Sequence, residues 1–142
     1  MTAKQLSVFI ENRKGRLSEV LDVLKNNGVN ILSMSLADTT EYGLLRLIVN
    51  NPELGKQKLT ENGFSSLLSD VIILKIPHVV GSLQQLLKAI EEANVNVEYM
   101  YGLSIEGADA YVVLKSSNPE DTCKVLEANG VATLLPEDVL KL

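Results

Sequence analysis

Apolar residues recur at two different periods along this chain, and the two periods alternate. "LSVFI" (Leu6–Ile10) and "VIILKI" (Val71–Ile76) are short runs rich in apolar and β-branched residues, which predicts strands. After each run the apolar positions spread to a helical spacing. Leu17, Val20, Leu21 and Leu24 follow i, i+3, i+4, i+7, and so do Leu83, Leu86, Leu87 and Ile90. The first of these helices stops at Asn26-Asn27-Gly28, where glycine suits a left-handed cap. "VNILSMSL" (29–36) and "VNVEYMYGL" (95–103) predict second strands. "LLRLIV" (Leu44–Val49) and "AYVVLK" (Ala110–Lys115) predict third strands, reached through turns near Gly43 and Gly107. Asn51-Pro52 and Asn118-Pro119 each read as an N-cap followed by proline at the first helical position. The helices they open run to Asn62-Gly63 and Asn129-Gly130, and "FSSLL" (64–68) and "VATLL" (131–135) supply fourth strands.

The order βαββαβ thus occurs twice, and the sequence repeats with it. At a shift of 66 residues the identical pairs are Ile10/Ile76, Gly15/Gly81, Leu17/Leu83, Leu21/Leu87, Val29/Val95, Asn30/Asn96 and Met34/Met100. Beyond residue 51 the shift becomes 67, matching "NPE" at 51–53 with 118–120 and Asn62-Gly63 with Asn129-Gly130, so one inserted residue is expected there. We read two copies of one unit, residues 1–69 and 70–142, with almost no linker at 69–72. The expected fold class is α+β: two tandem ferredoxin-like βαββαβ modules, each an antiparallel sheet with its helices on one face. The other face needs cover, which predicts that the sheets join at their edges or pack together. The tail "EDVLKL" (137–142) is similar to "DVIILKI" (70–76) and is read as a further short strand.

Composition narrows the partners. The 142-residue chain carries a formal net charge of −5, which disfavours nucleic acid and anionic membranes, since both call for a basic face. With two phenylalanines, four tyrosines and no tryptophan, the chain also lacks the aromatic platform of an RNA-binding sheet. No apolar run approaches the ~20 residues that span a bilayer, and Lys4 and Gln5 interrupt the start in a way a signal peptide does not. One cysteine allows no internal disulfide and suits a reducing cytoplasm. With a single Cys123 and a single His78, and no GxSxG, P-loop or HExxH sequence, we expect no enzyme, no metal and no cofactor. His78 is read as an exposed loop residue, and Cys123 as a small packed residue three positions before Leu126.

The repeated polar and glycine positions carry more. Gly15 and Gly81 precede helices, where glycine permits positive φ and lets another group approach the backbone. Such a helix start presents unpaired amides to a carboxylate or similar anion, although a plain strand-to-helix turn uses the same glycine. Ser82 and Gln85 read as a capping box. Asn30 and Asn96 open the second strands, although asparagine is a poor strand former. A side chain with one acceptor and two donors suits both ends of a zwitterion, and a turn asparagine is the other reading.

"RKGRLSEVLDVLKNNGVNILSMSL" and "VVGSLQQLLKAIEEANVNVEYMYGL" together resemble a tandem pair of ACT domains, small βαββαβ modules that bind amino acids and regulate metabolic enzymes. The resemblance covers nearly the whole chain. It implies a non-catalytic amino-acid sensor whose ligand lies between the first loop of one module and the start of the second strand of a partner module. Carried onto this sequence, the ligand-binding positions are Asn12, Lys14, Gly15, Arg16, Leu17, Asn30 and Ile31 in copy one. In copy two they are His78, Val80, Gly81, Ser82, Leu83, Asn96 and Val97. Many members have an acidic residue or a proline near the loop glycine. Copy one has Asn12 and the cationic Arg13-Lys14 instead, and copy two has Pro77 and Val79-Val80, so the two sites are expected to be unequal. The implied partners are a free amino acid, a second copy in a homodimer and a regulated metabolic enzyme in the cytoplasm. A dimerisation module without ligand is the alternative.

Overall fold

The computed structural model describes residues 1–38 and 41–139. The chain falls into two compact units, one of Lys4–Ser69 and one of Asp70–Leu142 together with Met1–Ala3; they are called the first and second module below.

The first module runs β1 (Ala3–Glu11), α1 (Arg16–Asn26), β2 (Ile31–Asp38), β3 (Tyr42–Val49), α2 (Pro52–Glu61) and the opening of β4 (Ser65–Pro77). Its strands pair antiparallel in the order β2-β3-β1, with Leu6 opposite Leu47 and Met34 also opposite Leu47 from the other side. Alternation along β1 and β3 sends Leu6, Val8, Ile10, Leu45, Leu47 and Val49 to one face. There they pack against Val20 and Leu24 of α1 and Leu59 of α2, all buried. Each such side chain contributes about 1.5–3 kcal/mol by leaving water.

The second module repeats the plan with the rest of β4, α3 (Ser82–Glu92), β5 (Val97–Glu106), β6 (Asp109–Ser116), α4 (Pro119–Ala128), β7 (Ala132–Leu134) and a short α5 (Pro136–Val139). The antiparallel order is β5-β6-β4-β7. Ile72, Leu74, Ile76, Val112 and Leu114 meet Leu86 and Ile90 of α3 and Leu126 of α4. This is the tandem ferredoxin-like α+β fold the periodicity predicts, with antiparallel strands and the helices on one face. Cys123 packs at the edge of this core, as its spacing suggested.

The helix ends show how sequence sets the elements. Asn51 Oδ1 accepts from Leu54 N at 3.2 Å and Asn118 Oδ1 from Asp121 N at 3.1 Å, with Pro52 and Pro119 as first helical residues. At the end of α1, Gly28 (φ 69°) gives the paired bonds Val29 N to Leu24 O and Gly28 N to Lys25 O. Asn94 (φ 62°) does the same after α3, with bonds from Val95 N to Ile90 O and Asn94 N to Glu91 O.

Gly43 is the second residue of β3, opposite Ile10 and next to the turn expected near it, and Gly107 (φ 60°) sits in its turn. Four expectations are corrected. The fourth strand of copy one and the first of copy two are one continuous strand, β4, and neither glycine nor proline separates Leu68 from Val71 to break it. Gly81 occupies the N-cap of α3 with no side-chain cap, so Ser82 is already helical and forms no capping box. The tail forms no strand over Glu137–Val139: Pro136 starts α5, and Asp138 Oδ2 accepts from Leu135 N at 2.9 Å; residues 140–142 lie outside the described residues. Finally, the inserted residue of copy two sits within β5. Leu36 pairs with Leu45 as Gly102 pairs with Val112, and Ala37 pairs with Leu44 as Ser104 pairs with Tyr111. Leu103 is therefore the extra residue, held as a β-bulge. Gly43 then matches Ala110, since both face the matched isoleucines Ile10 and Ile76.

Candidate functional site

The two first loops have one backbone shape. Gly15 adopts φ 87°, ψ −12°, and Gly81 adopts φ 89°, ψ −11°. A residue with Cβ resists this left-handed geometry by roughly 1–2 kcal/mol, and an added Cβ meets nothing within 4 Å at either position. The glycines are therefore required by conformation, not by a close neighbour. Gly15 O accepts from Glu19 N and Gly81 O from Gln85 N, both at 3.0 Å. Between them the amides of Leu17 and Ser18, and of Leu83 and Gln84, have no acceptor among the described residues. Neither helix start has a side-chain cap. Each offers two amides and a partial positive charge to an incoming anion.

Around this shared backbone the side chains differ. In the first module Asn12 N bonds Glu41 O at 3.1 Å, and Arg13 Nε bonds Glu11 Oε2 at 2.8 Å. The side chains of Asn12 and Lys14 are exposed and have no partner among the described residues. Arg16 is tied: its guanidinium reaches Glu19 Oε2 at 2.6 Å and stacks 4.3 Å from the Phe64 ring centroid. In the second module His78 N bonds Ala108 O at 2.7 Å, and its side chain is exposed as expected. Val79 and Val80 project into solvent, Val80 completely. Leu83 is partly exposed. Lys75 and Asp109 pair at 3.4 Å across the adjacent strands.

The asparagines also share a setting. Asn30 N bonds Asn50 Oδ1 at 2.8 Å and Asn50 N bonds Asn30 O at 3.1 Å. Asn96 and Ser117 make the matching pair at 3.2 and 2.9 Å. Backbone groups thus anchor the strand starts, and the amide side chains remain exposed, next to the half-buried Ile31 and Val97.

No single module brings all its predicted residues together. Arg16 and Leu17 open α1 beside Asn12, Lys14 and Gly15, and the 11-residue helix, about 16 Å long, then leads away from this group to Asn30 and Ile31. Ser82 and Leu83 likewise open the 11-residue α3 beside His78, Val80 and Gly81, and the helix leads away from them to Asn96 and Val97. At the loop end of the first module, Asn12 and Leu17 join Arg13, Leu36, Ala37 and Gly43 around a cleft of about 150 Å³. At the other end, Asn30 and Ile31 border a broad cleft of about 530 Å³ with Asp22, Lys25 and Gly28. The hairpin residues Leu36, Ala37 and Gly43 were missed. Their signal was Gly43, the second residue of β3, since a strand glycine often marks close approach of another group.

The sequence profile of the ACT domain pair matches residues 1–142. The chain belongs to the ACT domain family. A solved structure of protein BT0572 from Bacteroides thetaiotaomicron resembles this ACT domain pair at 36% identity and a TM-score of 0.93, covering 100% of this chain and 98% of that one. Two solved regulatory subunits of aspartate kinase share the fold at 14% identity. The one from Thermus thermophilus, in ligand-free form, has a TM-score of 0.63 and covers 88% of this chain and 91% of that one. The one from Thermus flavus has a TM-score of 0.61 and covers 88% and 90%. No match is found among curated proteins. Among the described residues no helix of the ACT domain pair is long and apolar enough to cross a membrane.

Proposed function

We propose that this ACT domain pair is a non-catalytic regulatory protein that binds a free amino acid. The reading is carried by one observation: both modules keep a left-handed glycine that leaves two amides unpaired at a helix start. These amides suit a carboxylate, and an exposed asparagine such as Asn30 or Asn96 suits the ammonium and carboxylate of a zwitterion. Because α1 holds the two groups apart, the ligand joins the loop of one module to the strand start of a module in a second chain. Binding then couples to assembly, since a ligand stabilises whichever arrangement it contacts. The protein acts as a homodimer in the cytoplasm, and its output is the state of a metabolic enzyme. Regulatory subunits with this fold lend the reading support.

A melting-temperature panel over the common amino acids tests the proposal. A binder adds RT ln(1 + [L]/Kd), about 2.7 kcal/mol at a hundredfold excess over Kd. If no amino acid shifts the melt at millimolar concentration, the sensor reading fails. A ligand-free dimerisation module then takes its place, a reading favoured by the exposed Met34 and Leu36 on edge strand β2.

A further inference from the structure

The cleft at the loop end of the first module has apolar walls and a charged mouth. Ile10, Leu17, Leu36, Ala37 and Gly43 line it. Its volume is about 150 Å³. An apolar cavity of that order accepts a molecule the size of benzene, so a branched chain of three or four carbons fits. At the mouth Glu11 and Arg13 form an ion pair at 2.8 Å that is more than half exposed on both sides. Their opposite charges match the ammonium and carboxylate of an amino acid, and an exposed pair of this kind reorganises at little cost. Gly43 leaves room for two of the walls. A Cβ there would lie 3.1 Å from Ile10 Cγ1 and 3.4 Å from Leu36 Cδ1, between two of the walls.

The second module is built differently at the matching positions, and its hairpin residues Gly102, Ala110 and Val112 border a broader cleft of about 440 Å³. Pro77, His78 and Val79 stand where Glu11, Asn12 and Arg13 stand in the first, and the ion pair beside them is instead Lys75 with Asp109, opposite Pro77, at 3.4 Å. Gly102 replaces the Leu36 wall, and Ala110 already carries the methyl that Gly43 lacks. We infer that the ligand is an amino acid with a branched aliphatic side chain, that this side chain is held by the narrow loop cleft of the first module rather than by the broader one of the second, and that Gly43 leaves the cleft walls the room to admit it. This rests on the amino-acid reading above and adds the side-chain class and the choice of module.

Calorimetric titration of the full chain with leucine, isoleucine, valine, phenylalanine, lysine, aspartate and glycine tests it. The expected result is one site per chain, with the branched aliphatic ligands at least tenfold tighter than the rest. Gly43→Ala should weaken leucine tenfold or more, within the 10- to 200-fold that a methylene group decides in an apolar pocket. Ala110→Gly should change it less than twofold. Arg13→Ala provides a second handle that leaves the strands untouched, and should weaken all amino acids alike. Two sites per chain, tighter binding of charged or aromatic ligands, or a folded Gly43→Ala variant with unchanged leucine affinity overturns the inference and leaves the sensor reading standing. Absence of binding by every amino acid removes both.

Discussion

At the centre of α2 the first module carries a buried Gly55, and at the matching turn of α4 the second carries a buried Thr122. A Cβ at Gly55 would lie 3.0 Å from Leu6 Cδ2 and 3.4 Å from Leu24 Cδ2. In the second module those neighbours are Ile72 and Ile90, and room exists for a threonine whose Oγ1 lies 2.8 Å from Asn118 O and 2.7 Å from Ser116 Oγ. Ser116 in turn stands where the first module has Val49, since Ile31 faces Val49 as Val97 faces Ser116. The first module fills the space above α2 with Leu6, Leu24 and Val29 and has Val49 where the second has Ser116; the second uses two hydroxyls bonded to each other. The same trade recurs on the hairpin, where Leu36 with Gly43 becomes Gly102 with Ala110. The modules therefore share backbone geometry, kept by caps and αL residues, while their interiors are filled by different but matched sets. What diverged without compensation is the charged loop, and that is where function is expected to differ.

The largest effect should come from Leu24→Ala, which empties a fully buried site in the first core. It should cost about 2–5 kcal/mol, with hydrogen exchange rising in Lys4–Ser69 before the second module if the two units open separately. Gly55→Thr should destabilise the first module by about 1–3 kcal/mol through overpacking. Adding Val49→Ser and Leu24→Ile should recover part of the loss, and a denaturation cycle showing strict additivity would break the claim that these positions trade volume. Gly15→Ala and Gly81→Ala should each cost about 1–2 kcal/mol. Equal costs sharpen the case that backbone shape alone is shared there, while a much larger loss of ligand affinity in Gly15→Ala places binding in the first module. The smallest effect is Asn94→Gly, expected to lie within about 1 kcal/mol of neutral in thermal melts, since both residues tolerate the left-handed cap.

Much of this fold was legible because local chemistry and global pattern agree. Asn51-Pro52 and Asn118-Pro119 announce helix starts, and Leu17-Val20-Leu21-Leu24 marks a buried stripe whose partner strands are equally apolar. The position of the inserted residue was not legible. Both "LLRLIV" and "YVVLKS" are apolar on either phase, so a one-residue slip leaves the pattern intact, and only the pairing of Gly102 and Ser104 across β6 places the bulge at Leu103. The Ser82 capping box misled because serine at N1 and serine at N-cap look alike until the glycine before it is seen to be left-handed. For the site, glycine and asparagine positions were readable as a repeat. The cleft was not, because its walls come from the far end of a hairpin and its key property, at Gly43, is a missing side chain.

The bulge at Leu103 also bears on how the chain meets other strands. β2 and β5 stand at the ends of their modules' strand orders. From Ser33 to Asp38 the β2 ladder runs residue for residue, while β5 is interrupted twice, near its start and again at Leu103. A straight row of outward amides and carbonyls invites a foreign strand, and a kinked row turns one away. The extra residue makes the second module's edge the poorer template, a local guard against fibre-like stacking of tandem copies that the first module's edge does without.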